Sequence, residues 1–174
     1  MAGKPTYVVD TSSWLAIDAH PDANRILDKL TTLLEQGRIC APPEVLQELK
    51  RLSNSVAWVQ SHKSDLEKSL RTKLEFFQLV GQVQHAFPAM TGARGRDEKA
   101  DAYVVATGAY LTANVGQTIV VADETLRRRK NRKIPTACEK FGVECMGIID
   151  MLRAEFPDEE WQDPPARQVS GGGA

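Results

Sequence analysis

The segment from Tyr7 to Leu15 constrains the fold more than any other part of the chain, because its pattern changes at a single residue. The run from Tyr7 to Val9 contains only β-formers and no polar alternation, which is typical of a strand buried in a parallel sheet. The three hydroxyl residues that follow Asp10 favour the start of a helix. We therefore expect Asp10 where a buried strand ends and a helix begins, which is where ligands bind in open α/β sheets.

Strand and helix patterns alternate along the rest of the chain. Apolar runs typical of strands recur at residues 38–41, 118–122 and 142–146. Between them lie segments with apolar residues at helical spacing, including a strong helical pattern at 97–112. This alternation predicts an α/β fold, organised as a three-layer α/β/α sandwich with a central, mostly parallel sheet.

The length of 174 residues is sufficient for one domain with a sizeable core. We assign that domain to residues 1–156, and within it the helical pattern at 53–87 predicts two or three helices that form an arm. Residues 157–174 are rich in proline, acidic residues and glycine, so we expect them to form a flexible C-terminal tail.

The composition narrows the classes of protein to which the chain can belong. A net charge of −1 gives no overall attraction to nucleic acid or membrane, so local clusters must carry any such binding. No apolar run approaches the roughly 18 residues of a membrane span, and we expect a cytoplasmic protein. The three cysteines, Cys40, Cys138 and Cys145, form no close pair of the kind that zinc sites use, and we expect free thiols.

Acidic residues stand at four places that a parallel sheet would bring together. One follows the first strand, one lies on the helix after the second strand, one lies on the 97–112 helix, and a pair follows the third clear strand. Because carboxylate oxygens are the ligands that hard divalent cations prefer, this arrangement predicts a Mg²⁺ or Mn²⁺ site. The residues are Asp10, Glu48 with Glu44 one turn earlier, Asp101 with Asp97 one turn earlier, and Asp123 with Glu124.

Clustered carboxylates repel one another, and a bound cation removes that penalty. Such a cation can also activate water for attack on a phosphodiester. The alternative for each acid taken alone is a structural role, since acids near helix starts complement the helix dipole, and Asp97 fits that role. Asp10 and Asp101 fit it less well, because both lie among apolar residues that belong to the core.

Four short motifs follow one another in order along the chain. They are VVDTSSWL at 8–15, PEVLQEL at 43–49, ADAYVVA at 100–106 and VVADE at 120–124. Together they resemble the motifs of PIN-domain ribonucleases, a family that includes the VapC-type toxins of toxin–antitoxin pairs. The segments KIPTAC at 133–138 and FGV at 141–143 are similar to a subgroup of bacterial PIN-like proteins, so the resemblance covers about residues 6 to 153.

The resemblance implies a PIN-like sandwich whose acidic pocket holds Mg²⁺ or Mn²⁺ and hydrolyses RNA by water attack on phosphorus. Ser12 matches a residue that lies beside the metal in the family. The fourth motif departs from the usual hydroxyl-x-aspartate pattern, since Ala122 and Glu124 occupy these two positions, and either Asp123 or Glu124 is the ligand there. The catalytic and metal-binding residues that the resemblance implies are Asp10, Glu48, Asp101, Asp123 and Glu124.

Basic residues cluster in two predicted loops and are candidates for binding RNA phosphates. The alternative is that these basic residues belong to ordinary solvated loops and bind no RNA. The residues are Arg94, Arg96, Arg127, Arg128, Arg129 and Lys130. The resemblance also implies that the protein is the toxin of a type II toxin–antitoxin pair, with an antitoxin protein as partner, and that it forms a homodimer, for which the arm at 53–87 is a plausible surface.

Two alternatives to a ribonuclease differ in class. The altered fourth motif favours a non-catalytic PIN-like module that binds RNA or a protein. A phosphatase with Asp10 as nucleophile is disfavoured, because Ser12 stands where haloacid-dehalogenase-type phosphatases have a second aspartate. A P-loop protein is unsupported, since the chain has no Gly-x-x-x-x-Gly-Lys-Ser/Thr.

Overall fold

A four-stranded parallel sheet forms the centre of the fold in the computed structural model, which describes residues 3–52, 57–91, 99–123 and 133–163. The strand order is β2-β1-β3-β4, and every strand pair in these ranges is parallel. The strands are β1 (Thr6–Val9), β2 (Ile39–Cys40), β3 (Thr118–Val121) and β4 (Glu144–Met146).

Helices connect the strands and cover both faces of the sheet, which confirms the predicted α/β class. On one side α7 lies against β1 and β3 and also contacts α6 and α8, while α1 contacts α2, α3 and α9. The helices are α1 (Thr11–Asp18), α2 (Ala23–Glu35), α3 (Pro43–Leu52), α4 (Ala57–Ser61), α5 (Lys63–Leu66), α6 (Leu74–Ala86), α7 (Asp101–Asn114), α8 (Lys133–Lys140) and α9 (Ile148–Glu155), with a 3-10 turn at Pro88–Met90.

The central strand β1 is buried as its composition predicts, because Tyr7, Val8 and Val9 have almost no exposed surface. Its neighbour β3 pairs with it over four residues, and the last pair joins Val9 to Val121. This register brings the carboxyl ends of the two strands level, so that Asp10 and the residues after β3 reach the same edge of the sheet.

Helix α7 packs unusually close to the sheet at Gly108. A Cβ atom at this position would lie 2.7 Å from Val120 and 3.0 Å from Val143, so only glycine fits without a shift of these side chains. The close packing fixes α7 against β3 and therefore fixes the position of Asp101 at the start of the helix.

The predicted helix at 97–112 is wrong at its start, because α7 begins at Asp101 and extends to Asn114. Residues 99 and 100 are described and are not helical. The backbone N–H of Ala100 donates to the Glu48 carboxylate instead of to a carbonyl one turn earlier. A contact between segments that are distant in sequence thus sets where this helix begins.

The predicted arm contains three described helices, α4, α5 and α6, and residues 53–56 lie outside the described ranges. The longest of them, α6, does not stand apart, because Phe76 and Val80 pack against Tyr103 and Ala106 of α7. This packing makes α6 part of the globular domain.

The boundary predicted for the flexible tail is wrong, because residues 157–163 pack on α2. The ring of Trp161 is buried and lies 4.1 Å from the Arg25 guanidinium carbon, and Glu159 forms ion pairs with Arg25 and Lys29. One large aromatic ring and two ion pairs therefore hold a segment whose composition is typical of a tail. Residues 164–174 lie outside the described ranges.

The three cysteines all lie in the described ranges and keep their thiols, with no disulfide between them, as expected. Across the described ranges, no helix is both long enough and apolar enough to cross a membrane.

Candidate active site at the carboxyl edge of the sheet

Asp10 lies at the junction of β1 and α1, as its sequence pattern predicts. Its backbone N–H continues the sheet by donating to the Val121 carbonyl at 2.9 Å. Its side chain caps α1, because Oδ2 accepts hydrogen bonds from the Ser12 backbone N–H at 3.0 Å and from the Ser12 hydroxyl at 2.6 Å. The carboxylate is therefore held in one orientation, with only 3% of the residue exposed.

The second carboxylate oxygen of Asp10, Oδ1, is buried and has no hydrogen-bond partner among the described residues. The pKa of Asp10 is raised to about 7, mainly by burial of the carboxylate. The Ser12 hydrogen bonds lower this pKa, and the charges of Asp101 and Glu48 raise it. A buried carboxylate with an unsatisfied oxygen is costly in a protein core. The effects of Asp101 and Glu48 on the pKa of Asp10 indicate that the three acids, which come from three different helices, lie near one another.

Glu48 joins three segments through both of its carboxylate oxygens. Oε2 accepts a hydrogen bond from the Thr11 hydroxyl at 2.6 Å, and Oε1 accepts one from the Ala100 backbone N–H at 2.8 Å. Thr11 is the neighbour of Asp10, and Ala100 is the neighbour of Asp101. Glu48 is thus bound between the two other acids that sequence analysis placed at the metal site.

Asp101 is the first residue of α7 and is half-buried. The positive end of the helix dipole favours a carboxylate at this position. Because the Ala100 N–H is held by Glu48, the backbone that carries Asp101 is fixed beside the Glu48 carboxylate. The structure therefore brings Asp10, Glu48 and Asp101 together, as expected.

Asp123 has a structural partner of its own. Its Oδ2 accepts hydrogen bonds from the Ser13 hydroxyl at 2.5 Å and from the Ile148 backbone N–H at 3.1 Å, so it caps the start of α9. Burial raises its pKa, the two hydrogen bonds lower it, and the charge of Asp150 raises it. A Cβ atom at Gly147 would lie 2.9 Å from Asp123 Oδ1, and the glycine thus leaves room for the carboxylate.

The Ser12 hydroxyl connects the ends of two adjacent strands. It donates to Asp10 Oδ2 and accepts a hydrogen bond from the Asp123 backbone N–H at 3.0 Å. Ser12 is therefore beside the acidic residues, as its motif implies, and its contacts orient Asp10 directly.

Several predicted site residues lie outside the described ranges. They include the second candidate ligand after β3, the acid one turn before Asp101, and every residue assigned to RNA binding. The residues are Glu124, Asp97, Arg94, Arg96, Arg127, Arg128, Arg129 and Lys130.

The residues at this edge suit a hard divalent cation in their chemistry. Among the described residues, no three His, Cys, Asp or Glu side chains converge tightly enough to form a ready metal-binding group. The unpartnered Oδ1 of Asp10 and the all-oxygen set that Asp10, Glu48 and Asp101 provide nevertheless fit Mg²⁺ or Mn²⁺. Asp123 fits less well, because its Oδ2 is taken by Ser13 and both of its oxygens face the Ile148 N–H.

Two residues that shape the site were not predicted, Thr11 and Ser13, which orient Glu48 and Asp123 through their hydroxyls. Glu44, one turn before Glu48, is buried and pairs with Arg71. The signal for Thr11 and Ser13 was present, because three hydroxyl residues in succession exceed what one helix cap requires. The pairing of residues 44 and 71 has no local signal.

Residues 7–157 match the family model described as a domain of unknown function, DUF4411. The chain belongs to this family. The DUF4411 match begins in β1 and ends just past α9, so it includes all the acids described at the carboxyl edge of the sheet. No curated protein is a significant match to the chain.

Proposed function

We propose that this DUF4411 protein is a divalent-metal-dependent endoribonuclease, a hydrolase that cleaves RNA phosphodiester bonds. The observation that carries the proposal is the Asp10 carboxylate, which is buried, held by Ser12, unpartnered at Oδ1, and flanked by Glu48 and Asp101. The cost of such an arrangement supports a functional role, since strongly perturbed acids cluster at active sites.

The residues that would hold Mg²⁺ or Mn²⁺ are Asp10, Glu48 and Asp101. Once bound, the cation supplies a Lewis acid that polarises the phosphate and lowers the pKa of water. The chain supplies orientation: Ser12 holds Asp10, while Thr11 and the Ala100 N–H hold Glu48.

A fourth ligand would come from the segment after β3. Glu124 is our candidate, because Asp123 already caps α9. This assignment chooses between the two acids that the fourth motif left open.

The biological setting of the proposal rests on the resemblance to PIN-domain ribonucleases. It comprises a cytoplasmic toxin of a type II toxin–antitoxin pair, an antitoxin protein as partner, and a homodimer. The proposed metal centre does not depend on these three points, because it is argued from the arrangement of the acids.

Cleavage of a mixed RNA pool by the purified protein tests the proposal, with Mg²⁺, with Mn²⁺ and with EDTA. We expect cleavage that requires metal and disappears in Asp101→Asn, because the substitution removes a ligand charge and little volume. The matched control is Asp18→Asn, the same change at an exposed position at the end of α1. Cleavage that persists in Asp101→Asn would contradict the assignment of the metal centre.

A second candidate is a non-catalytic PIN-like module that binds RNA or a protein. The departure of the fourth motif at Ala122 and Glu124 favours it. RNA binding without cleavage under all three metal conditions, in the absence of a contaminating nuclease, would support this module over the enzyme.

A further inference from the structure

Lys68, Arg71 and Lys73 form a basic strip on the segment that follows α5, and all three side chains are exposed. The segment that carries the strip is fixed to the sheet. The Ala41 N–H, directly after β2, donates to the Leu66 carbonyl at 2.9 Å, and the Lys68 N–H donates to the Ala41 carbonyl at 2.8 Å. The strip therefore leaves the carboxyl end of β2, at the same edge of the sheet as Asp10.

Arg71 forms an ion pair with a buried acid, Glu44. Its Nη2 lies 2.8 Å from Glu44 Oε1, and the Glu44 side chain is 4% exposed while the Arg71 side chain is 53% exposed. The pair differs from an ordinary surface salt bridge, in which both partners are exposed and mobile. Here the acid fixes the position of the guanidinium, and about half of the arginine side chain faces solvent.

The position of Glu44 relates Arg71 to the acidic residues. Glu44 and Glu48 are four residues apart on α3, so they lie on one face of the helix, about 6 Å apart along its axis. Glu48 contacts both Thr11 and Ala100. The acid that anchors the guanidinium is thus about one helical turn from Glu48, the residue that contacts the neighbours of Asp10 and Asp101.

We propose that Arg71, held by Glu44, binds a backbone phosphate of single-stranded RNA next to the bond that is cleaved, and that Lys68 and Lys73 extend this contact along the strand. The inference rests on the proposed ribonuclease function. A group of carboxylates repels a polyanion, so a nuclease needs fixed cations at the rim of its site. Arginine suits this task because its planar fork matches two phosphate oxygens.

Binding of a fluorescent single-stranded RNA oligonucleotide between 50 and 200 mM salt tests the inference. All variants carry Asp101→Asn, so that binding is measured without cleavage. We expect Arg71→Ala to weaken binding about 10-fold at the lowest salt and to reduce the slope of log K against log salt by about 0.7. Arg71→Lys keeps the charge and loses the fork, so it should give an intermediate affinity.

The matched control is Arg153→Ala, which removes an arginine of similar exposure from α9. Arg153 forms ion pairs with Asp150 and Asp163. We expect its affinity and salt slope to equal those of the parent. Lys68→Ala provides a second test of the strip that leaves the buried Glu44 paired, and it should also reduce the slope.

Each outcome decides a different question. If the parent binds RNA and neither Arg71→Ala nor Lys68→Ala changes the affinity or the slope, the inference is wrong and the ribonuclease proposal stands. If Arg153→Ala weakens binding as much as Arg71→Ala, the effect is general electrostatics and the inference is also wrong. If the parent binds no RNA at any salt concentration, both proposals fail.

Discussion

Each edge of the sheet has a carboxylate with little exposed surface, and the surroundings of the two carboxylates shift their pKa values in opposite directions. At the amino edge, Glu155 of α9 accepts hydrogen bonds from both terminal nitrogens of Arg38 and from the Tyr7 hydroxyl at 2.6 Å, and these contacts lower its pKa. At the carboxyl edge, Asp10 has one oxygen that no described residue contacts by a hydrogen bond, two acidic neighbours, and a pKa raised to about 7.

The difference distinguishes an acid that stabilises the fold from one that costs stability. The Glu155 charge is balanced within the chain by Arg38, the residue directly before β2, whose carbonyl accepts a hydrogen bond from the Tyr7 N–H. In the part of the chain that the structure describes, no cation pairs with Asp10. Among the described residues, the Asp10 charge is therefore left unbalanced, while the Glu155 charge is balanced by Arg38.

The largest effect is expected where the balanced edge is broken. Arg38→Met leaves the Glu155 carboxylate and the Tyr7 hydroxyl without their cation in a site that is about one-tenth exposed. The free energy of unfolding should fall by about 3 kcal/mol, because removal of one partner leaves a buried charge unpaired. Urea denaturation measures this change.

The double variant Arg38→Met with Glu155→Leu is the control for that prediction. It removes both charges, so most of the lost stability should return. A double variant as unstable as Arg38→Met alone would show that packing of the arginine stem, and not charge balance, stabilises this edge.

Asp10→Asn should change stability in the opposite direction from Arg38→Met. It should raise the free energy of unfolding of the metal-free protein by about 2 kcal/mol at pH 8. The folded pKa of about 7 lies above the ordinary value of an aspartate, so the folded state binds the proton more tightly than the unfolded state. Ionisation of Asp10 therefore lowers stability as pH rises from about 4 to about 7. Thermal unfolding in EDTA at several pH values measures the effect.

The gain in Asp10→Asn should grow from pH 5 to pH 8, and Asp28→Asn, the same change at an exposed position on α2, should show no such trend. The pH dependence at Glu155 runs in the opposite direction, because its pKa is lowered in the folded state. Its charge stabilises the protein above the pKa of the unfolded state, and this stabilisation is lost as pH falls through the pKa of the folded state. A destabilised Asp10→Asn protein at pH 8 would contradict the comparison of the two edges.

Thr11→Val tests how the carboxyl edge positions its acids. The variant keeps the shape of the side chain and removes the hydroxyl that donates to Glu48. We expect about a 10-fold loss of metal-dependent RNA cleavage, the usual cost of removing a group that orients a ligand. Thr11→Ser retains the hydroxyl and should retain most of the activity. Equal losses in both variants would assign the effect to packing.

The smallest effect is expected at Gly147, where a Cβ atom would press on the Asp123 carboxylate that caps α9. Gly147→Ala should lower the free energy of unfolding by about 1 kcal/mol. Gly81→Ala on α6 is the matched control, because no atom lies within 4 Å of its Cβ position and alanine favours a helix. The control should be slightly stabilised, and a loss of similar size in both would contradict the role given to Asp123.

The sequence predicted the fold because buried parallel strands carry a distinct composition. Tyr7 to Val9 and Thr118 to Val121 are apolar on both faces, so their burial and their parallel pairing follow from the residues themselves. The position of Asp10 at a strand end follows in the same way. These features depend on neighbours in the sequence.

The contacts of the site could not be predicted, because they join residues that are distant in sequence. The Glu48 bond to the Ala100 N–H fixes the start of α7, and the Ser13 and Ile148 contacts fix the direction of Asp123. No local pattern distinguishes Asp123 as a helix cap from Asp123 as a ligand. The tail shows the same limit, since only the packed domain reveals the place where Trp161 is buried.

The order of the strands has a consequence for synthesis on the ribosome. The first strand made, β1, is central, and its partner β3 emerges about 110 residues later, which takes roughly 5 to 20 s at ordinary rates of translation. Until then the apolar strand has only β2 as a partner, and the Asp10 N–H lacks the Val121 carbonyl to which it donates. A nascent chain therefore cannot assemble the acidic site before most of the protein has been made.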